Sequence, residues 1–224
     1  DSGRGWVVAI SGCIINTWTF GVFYAFATAL EQMLDEFKAN LSGIAAFFSI
    51  TTFLFFAVGI VAGPVADRFG ARRVVGVGAI FMGGGLWLTA QVQSLTAGVV
   101  VYGLGVGLGI GSYLVPLNAA TGAWFERHRT IALGVNTVGI GLGTLVLVPV
   151  AEWLIRTAGW RSAFELMGIG SFFVYGLVAL ASFKPPTPQA SVATSIEAVK
   201  RAVQRSEFWR FYIAGFFMAI ALFV

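Results

Sequence analysis

Long apolar runs without any charged residue divide this chain into segments of helix length. The charge-free runs are 7–30, 39–66, 74–125, 130–151, 166–183 and 211–224. A helix that crosses a bilayer needs about 20 apolar residues, so the first five runs hold six such helices, two of them in 74–125. A seventh begins near Phe208, and we expect it to be truncated because the chain stops within an apolar run. The predicted spans are 6–30, 42–64, 74–92, 97–123, 130–153 and 163–183.

Composition excludes an ordinary soluble domain. Apolar residues make up 58% of the 224 residues and charged residues 11%, with a mean hydropathy of +0.85. Soluble domains carry charge on about a quarter of their residues, so we expect an all-α, multi-pass membrane protein. With one histidine, one cysteine and no acid pair inside a span, the sequence offers no catalytic or metal-binding constellation. We therefore expect no enzyme activity, no metal and no cofactor.

Basic residues are divided unequally between the two sides of the predicted bundle. Eleven of the 14 Lys and Arg residues fall on the side of the N-terminus and three on the other. Basic loops stay in the cytoplasm, which predicts a cytoplasmic N-terminus, an external loop around Glu31, Asp35 and Glu36, and a plasma or inner membrane location. The net charge of +4 arises from these turns, so no nucleic-acid partner is expected. The eleven are Arg4, Arg68, Arg72, Arg73, Arg127, Arg129, Lys184, Lys200, Arg201, Arg205 and Arg210; the three are Lys38, Arg156 and Arg161.

Glycines recur at helical spacing inside the spans. In the fourth span, one stripe and a neighbouring stripe of glycines predict the close approach of two other helices. Glycines in the third and fifth spans predict the same kind of contact. The stripes are Gly103, Gly107 and Gly111, then Gly105 and Gly109; the others are Gly76, Gly83 to Gly85, Gly139 and Gly143.

Two similar four-residue segments, which we call the echo, indicate an internal repeat. Pro64-Val65-Ala66-Asp67 ends the second span, and Pro149-Val150-Ala151-Glu152 ends the fifth, on the opposite face of the membrane. Three spans per unit with inverted placement predict two inverted three-helix repeats within 1–183. Three prolines in 184–188 end the sixth span, so we interpret 184–207 as a cytoplasmic linker and 208–224 as the start of the seventh helix.

The turn between the second and third spans resembles the cytoplasmic signature of major facilitator superfamily transporters, and Gly159-Trp160-Arg161 resembles the entry to that superfamily's sixth helix. Asp1-Ser2-Gly3-Arg4-Gly5-Trp6 and the segment 124–134 further resemble the monocarboxylate transporter family, with oxalate–formate carriers close behind. The resemblance implies the six-helix N-terminal half of a twelve-helix fold, with the linker and part of the seventh helix. The signature residues are Gly63, Asp67, Arg68, Gly70, Arg72 and Arg73.

The resemblance also implies a conformational gate at this signature. Asp67 would accept hydrogen bonds from a helix N-terminus in the C-terminal half, with Arg68, Arg72 and Arg73 steadying the turn and its lipid contacts. The glycines would allow the sharp turn. The alternative interpretation is a basic anchor that only fixes orientation.

Substrate contacts are expected from polar residues at mid-span depth. The superfamily lines its cavity with the first and fourth helices, which favours Tyr113, Asn118, Asn16 and Tyr24. Each could equally bridge helices, because buried amides and hydroxyls need partners. Tyr113 ranks first because the nearby Pro116 can release backbone carbonyls toward a cavity.

The predicted spans contain no deep ionisable residue. Tyr24 and Tyr102 stand where relatives implied by the resemblance carry a lysine and an arginine, so any anion-binding cation would come from the C-terminal half. The leading hypothesis is secondary transport of a small organic anion, such as lactate or pyruvate, with or without a proton. The alternatives are a carboxylate exchanger of the oxalate–formate type and a membrane channel or structural subunit.

Overall fold

The computed structural model describes residues 3–181 together with 204–206, 209–210 and 213. The chain divides into two units, Asp1–Thr187 and Pro188–Val224, and the bundle considered below belongs to the first. Apart from those six residues, the predicted linker 184–207 and seventh helix 208–224 lie outside the described residues.

Within 3–181 the regular elements are all helical. Five stretches are long and apolar enough to cross a membrane, and the last, 129–181, has 53 residues. At 1.5 Å per residue this stretch would be about 80 Å long, far more than the roughly 30 Å of hydrocarbon in a bilayer. A break at Gly159 divides it into two spans, which gives six. The elements are α1 Gly3–Phe37, α2 Leu41–Phe69, α3 Ala71–Gln91, α4 Leu95–Trp124, α5 Arg129–Leu142, a π-helical turn Gly143–Leu147, and α6 Val148–Ala181.

The helix ends follow from local chemistry. The side chain of Asn40 caps α2 by accepting a hydrogen bond from the Gly43 amide at 2.9 Å, and Ser94 caps α4 through the Ala97 amide at 3.3 Å. Gly70 and Gly159 are the two glycines within 3–181 with positive φ, 89° and 82°. Each of them separates two helices. A residue with a Cβ would be strained at a positive φ, which is why glycine occupies both breaks.

The first helix is longer than the sequence pattern predicts. Glu31, Asp35 and Glu36 were expected in an external loop, but they lie in the last turns of α1. That expectation is wrong because an apolar run reports only the part of a helix inside hydrocarbon. A helix of 35 residues is about 52 Å long, so α1 projects beyond a bilayer.

The packing of the helices has inverted-repeat symmetry. Exchanging α1, α2 and α3 with the fourth, fifth and sixth spans converts the α2–α4 contact into the contact between α1 and α5, and the α3–α4 contact into α1–α6. The α3–α6 and α1–α4 contacts convert into themselves. The predicted pair of inverted three-helix repeats is therefore confirmed.

The two glycine stripes of α4 pack closely against two different helices, as predicted. A Cβ on Gly103, Gly107 or Gly111 would collide with α2, where the nearest atoms belong to Ile50, Leu54 and Val58. A Cβ on Gly105 or Gly109 would collide with the α3 backbone at Gly85 and Met82. Gly139 and Gly143 press against backbone atoms of α1, whereas Gly76 and Gly84 have no neighbour within 4 Å of an added Cβ. The prediction of close contacts is wrong for Gly76 and Gly84.

The fifth span contains a π-helical turn, Gly143–Leu147, just before Pro149. Proline has no N–H, so the turn that precedes it loses one hydrogen bond of the α-helical pattern and widens readily. The echo around this proline is displaced: Pro64 lies six residues before Gly70, whereas Pro149 lies ten before Gly159. Asp67 and Glu152 match in the echo but are one helical turn apart in the folded repeats.

Candidate functional site

A chain of hydrogen-bonded polar side chains crosses the interior of the bundle, and we call it the polar chain. The side-chain amide of Asn16 donates to the backbone carbonyl of Asn136 at 2.8 Å, and its Oδ1 accepts from the Tyr113 hydroxyl at 2.9 Å. The Asn136 amide donates to Asn118 Oδ1 and Thr121 Oγ1, each at 3.1 Å. These five residues join α1, α4 and α5.

A second group of polar contacts joins α1 to α6. The hydroxyls of Thr19 and Tyr175 lie 2.9 Å apart, and the rings of Tyr175 and Tyr113 meet edge to face with centroids 5.4 Å apart. One residue earlier on α1, the indole N–H of Trp18 donates to Ser171 Oγ at 2.9 Å. The polar interior therefore reaches four of the six spans.

The structure brings together three of the four residues expected to contact substrate. Tyr113 is fully buried and Asn16 is 2% exposed, so both act as bridges between helices in this conformation. Asn118 is only half-buried and stands at the edge of the polar chain. Tyr24 is also half-buried but lies apart, with its ring against Phe20 and Phe23. Asn118 and Tyr24 are thus the more accessible pair, and their contact with substrate remains a prediction.

Several polar residues of this interior are absent from the sequence-based selection. Thr19 and Tyr175 were not singled out, although Thr19 follows Asn16 by three residues and so shares its helical face. Asn136 and Thr121 were not singled out either: Asn136 lies in the fifth span, outside the two helices expected to line the cavity, whereas Thr121 lies in the fourth. Tyr175 carried no local signal, because its partner lies 156 residues away in the sequence.

The chemistry of this interior is neutral. Its groups are amides and hydroxyls, which donate and accept hydrogen bonds but carry no charge at neutral pH. Buried side-chain oxygens without a hydrogen-bond partner among the described residues are Thr52 Oγ1, the Tyr102 hydroxyl and Asn136 Oδ1. Within the described residues, no three His, Cys, Asp or Glu side chains are close enough to hold a metal ion. The arrangement can orient a polar solute, but it cannot neutralise a carboxylate.

The expected gate lies where α2 meets α3. Residues 63–69 are helical, and Gly70 alone forms the break, so the expectation that both glycines make the turn is wrong for Gly63. An added Cβ on Gly63 would contact Val115 at an ordinary 3.5 Å. The side chains of Asp67, Arg68, Arg72 and Arg73 are exposed at this basic end of the bundle. Partial burial raises the pKa of the Asp67 carboxyl.

At the opposite end of the bundle from the expected gate, beside Gly159, the charged side chains of Glu36 and Arg161 have partners. The Arg161 guanidinium donates to the carbonyls of Ala90 and Val92 at the end of α3 and forms an ion pair with Glu36 at 2.6 Å. Partial desolvation opposes ionisation of Glu36, but the hydrogen bonds from Arg161 and Trp160 outweigh it and lower the pKa of this carboxyl. We call Glu36, Trp160 and Arg161 the clamp, which joins the ends of α1 and α3 to the start of the sixth span, just after the break in α6.

Comparison with known proteins identifies relatives for most of the chain. The Major Facilitator Superfamily model matches residues 12–224. Riboflavin transporter RibJ of Trypanosoma brucei brucei is 31% identical over 188 residues, covering 81% of this chain and 34% of the relative. Monocarboxylate transporter 4 of Gallus gallus is 32% identical, covering 92% and 43%, and monocarboxylate transporter 11 of Mus musculus is 30% identical, covering 75% and 38%. The chain therefore spans less than half the length of these relatives.

Solved structures share the fold. A peptide transporter POT in complex with alafosfalin superposes with a TM-score of 0.67 at 20% identity, over 96% of this chain and 46% of that one. The proton:xylose symporter XylE, bound to a bromodeoxyglucose, gives a TM-score of 0.65 at 16% identity, over 82% and 45%. The relatives are transporters rather than enzymes. On the match of residues 12–224, this multi-pass membrane chain belongs to the major facilitator superfamily, with monocarboxylate transporters among its relatives.

Proposed function

We propose that this chain is the N-terminal half of a secondary transporter that moves a small organic anion by alternating access. The observation that carries the proposal is the inverted pair of three-helix repeats, which is the architecture of carriers that rock around a central site. A static channel or structural subunit does not require such a pair. The substrate class rests on the monocarboxylate transporters among the relatives.

Exposed apolar faces on two symmetry-related spans support a missing partner half. Ile60 on α2 is 79% exposed, and Leu145 in the fifth span is 72% exposed. Phe53 and Phe56 extend the first face and Trp153 the second. We propose that the C-terminal half of the transporter and the lipid bilayer cover these faces.

The neutral interior constrains how an anion would bind. A buried carboxylate requires a cation or several strong donors, and the described spans supply only amides and hydroxyls. We propose that Tyr113 and Asn16 hold the helices, that Asn118 and Tyr24 contact substrate, and that the C-terminal half supplies the positive charge. Proton symport and carboxylate exchange of the oxalate–formate type both fit this division. The excess of basic residues at one end favours a cytoplasmic N-terminus in a plasma or inner membrane.

A second candidate is a carrier of neutral, planar, hydrogen-bonding solutes. The uncharged polar chain favours it, together with the relative named a riboflavin transporter. The two candidates differ in one requirement, because only an anion carrier needs a cation near the site.

Counterflow in proteoliposomes distinguishes these functions. Liposomes containing the full-length protein are preloaded with unlabelled lactate, pyruvate, oxalate or riboflavin, and uptake of the labelled solute is followed. We expect exchange of at least one monocarboxylate, reduced by Asn118→Leu and not by the exposed control Thr157→Val. Exchange of riboflavin alone would support the second candidate, and passive flux without counterflow would support a channel.

The gate has its own test. Asp67→Asn keeps the size of the side chain but removes the charge that would hold a helix N-terminus of the C-terminal half. We expect cysteine labelling on the two faces of the cavity to shift away from the outward-facing state. Glu152→Gln, at the matching position of the echo, serves as control because Glu152 pairs locally with Arg156 at 2.8 Å. Labelling identical to the unmodified protein on both faces would refute the gate role.

A further inference from the structure

An apolar groove runs along the outer side of the bundle between α2 and α3, with α4 as its floor. We call it the α2–α3 groove, and its volume is about 660 Å³, within the range of pockets that hold small organic ligands. Its walls are aliphatic apart from Phe81 and Ser112, and Phe69 and Arg73 lie at one end. The lining residues are Ala57, Val58, Val61, Ala62, Val65, Phe69, Arg73, Val74, Val77, Phe81, Leu108 and Ser112.

The groove and the proposed gate occupy different faces of α2. Residues 57, 61, 65 and 69 form one helical stripe and line the groove. Phe53, Phe56 and Ile60 belong to another stripe, which Asp67 continues. A partner half that packs on the second stripe would therefore leave the first open to lipid.

The symmetry-related groove between the fifth and sixth spans is almost filled. Five of its lining residues follow their counterparts in the α2–α3 groove by 89 residues, the same separation as between Gly70 and Gly159. Its volume is only about 90 Å³. The indole of Trp18 lies against Gly170, the counterpart of Phe81, and is held by Ser171. The pairs are Val58 and Leu147, Val61 and Val150, Ala62 and Ala151, Val65 and Leu154, and Val77 and Leu166.

Charge distinguishes the open groove from the filled one. Arg73 lines its basic end, and the Arg68 guanidinium lies over the ring of Phe69 at 5.3 Å from the centroid. Within residues 3–181 no carboxylate forms an ion pair with either arginine. The counterpart of Arg73 in the filled groove is Ser162, which carries no charge.

We propose that the α2–α3 groove binds a phospholipid with an anionic headgroup. The acyl chain lies along the aliphatic walls and the floor at Leu108, and the phosphate lies between Arg73 and Arg68. Burial of methylene groups supplies the attraction along the groove, and the two guanidinium groups select the headgroup. The site requires only a membrane-embedded bundle, so it stands whichever solute the protein carries.

Native mass spectrometry of the full-length protein tests this proposal. The protein is reconstituted in vesicles of equal phosphatidylglycerol and phosphatidylcholine, extracted, and analysed for retained lipid. Leu108→Trp fills the groove as Trp18 fills the other, and we expect one fewer retained phosphatidylglycerol. Leu104→Trp, one turn away on the same helix and outside the lining, should retain it.

A charge variant keeps the test decisive if the tryptophan disturbs folding. Arg68→Gln with Arg73→Gln leaves the walls intact, and we expect the preference for phosphatidylglycerol to fall roughly fivefold per arginine. Arg156→Gln at the opposite end serves as control and should keep the preference. Equal retention in Leu108→Trp and Leu104→Trp, as when a protein segment covers the groove, would overturn the proposal. A preference for phosphatidylglycerol that survives loss of both arginines would overturn it as well.

Discussion

The α3–α4 and α1–α6 interfaces are equivalent under the inverted repeat, yet they are held together by different chemistry. At the first, Gly85 and Gly105 let two backbones touch, and Met82 packs on Gly109. At the second, Trp18 and Thr19 form hydrogen bonds across to α6. Small residues and polar bridges are the two general means of associating helices in lipid, where apolar surface alone gives no preference for protein. A symmetric backbone can therefore be stabilised by unlike side chains.

The two interfaces also differ in what they can offer a transported solute. A backbone contact between glycines leaves no room for side chains and no polar group for a solute. The α1–α6 interface places the hydroxyls of Thr19 and Tyr175 beside the polar chain, where they can offer hydrogen bonds.

The largest expected effect is the loss of the glycine contact. Gly105→Leu would drive a side chain into the α3 backbone, and we expect a loss of about 3 kcal/mol or more, enough to prevent a monodisperse protein in detergent. The control is Gly84→Leu, because nothing lies within 4 Å of an added Cβ there. Size-exclusion profiles measure both variants, and a monodisperse Gly105→Leu would show that the α3–α4 interface is not tightly packed.

A smaller loss is expected within the polar chain. Asn16→Leu removes the acceptor of the Tyr113 hydroxyl and the donor to the Asn136 carbonyl, which should cost roughly 1–2 kcal/mol. The apparent Tm in detergent should fall accordingly. Thr137→Val, at an exposed residue whose hydroxyl donates to the Leu133 carbonyl of its own helix, should leave the Tm nearly unchanged. Equal shifts for both would indicate that the polar chain adds little stability.

The clamp at the opposite end should make stability depend on pH. Because the folded-state pKa of Glu36 is below its ordinary value of 4.5, the contribution is present above that value and is lost as pH falls through the lowered pKa. Both side chains are partly exposed, so we expect at most about 1 kcal/mol. Thermal unfolding between pH 3 and 7 measures this contribution, and we expect the fall in Tm at acid pH to be smaller in Glu36→Gln. An equal fall in that variant would show that other groups cause the pH dependence.

The smallest effect tests the polar α1–α6 interface directly. Thr19→Val removes one hydrogen bond to Tyr175 and keeps the side-chain volume, which should cost roughly 0.6 kcal/mol. Thr157→Val, whose hydroxyl bonds within its own helix, gives the baseline. A shift in Tm no larger than that baseline would mean that the Thr19–Tyr175 pair contributes no measurable stability.

Spans and helix contacts could be predicted because both have a local sequence signal. Charge-free runs located six helices, and the spacing of Gly103, Gly107 and Gly111 indicated a close neighbour without naming α2. The partners could not be predicted, since the pairing of Thr19 with Tyr175 depends on the folded arrangement. The outer limits of α1 were missed for a different reason, because polar residues continue a helix beyond the hydrocarbon without any change in apolar pattern.

The helix breaks at Gly70 and Gly159 depend on stereochemistry rather than on crowding. At neither position would an added Cβ meet another atom within 4 Å, so free space is not what limits the residue. The positive φ is the limit, because with ψ of 138° and 159° this conformation is essentially confined to glycine, and a residue with a Cβ there is strained by roughly 1–3 kcal/mol. Alanine at either break would therefore destabilise the protein through its own backbone, and no second substitution that enlarges the surrounding space could compensate.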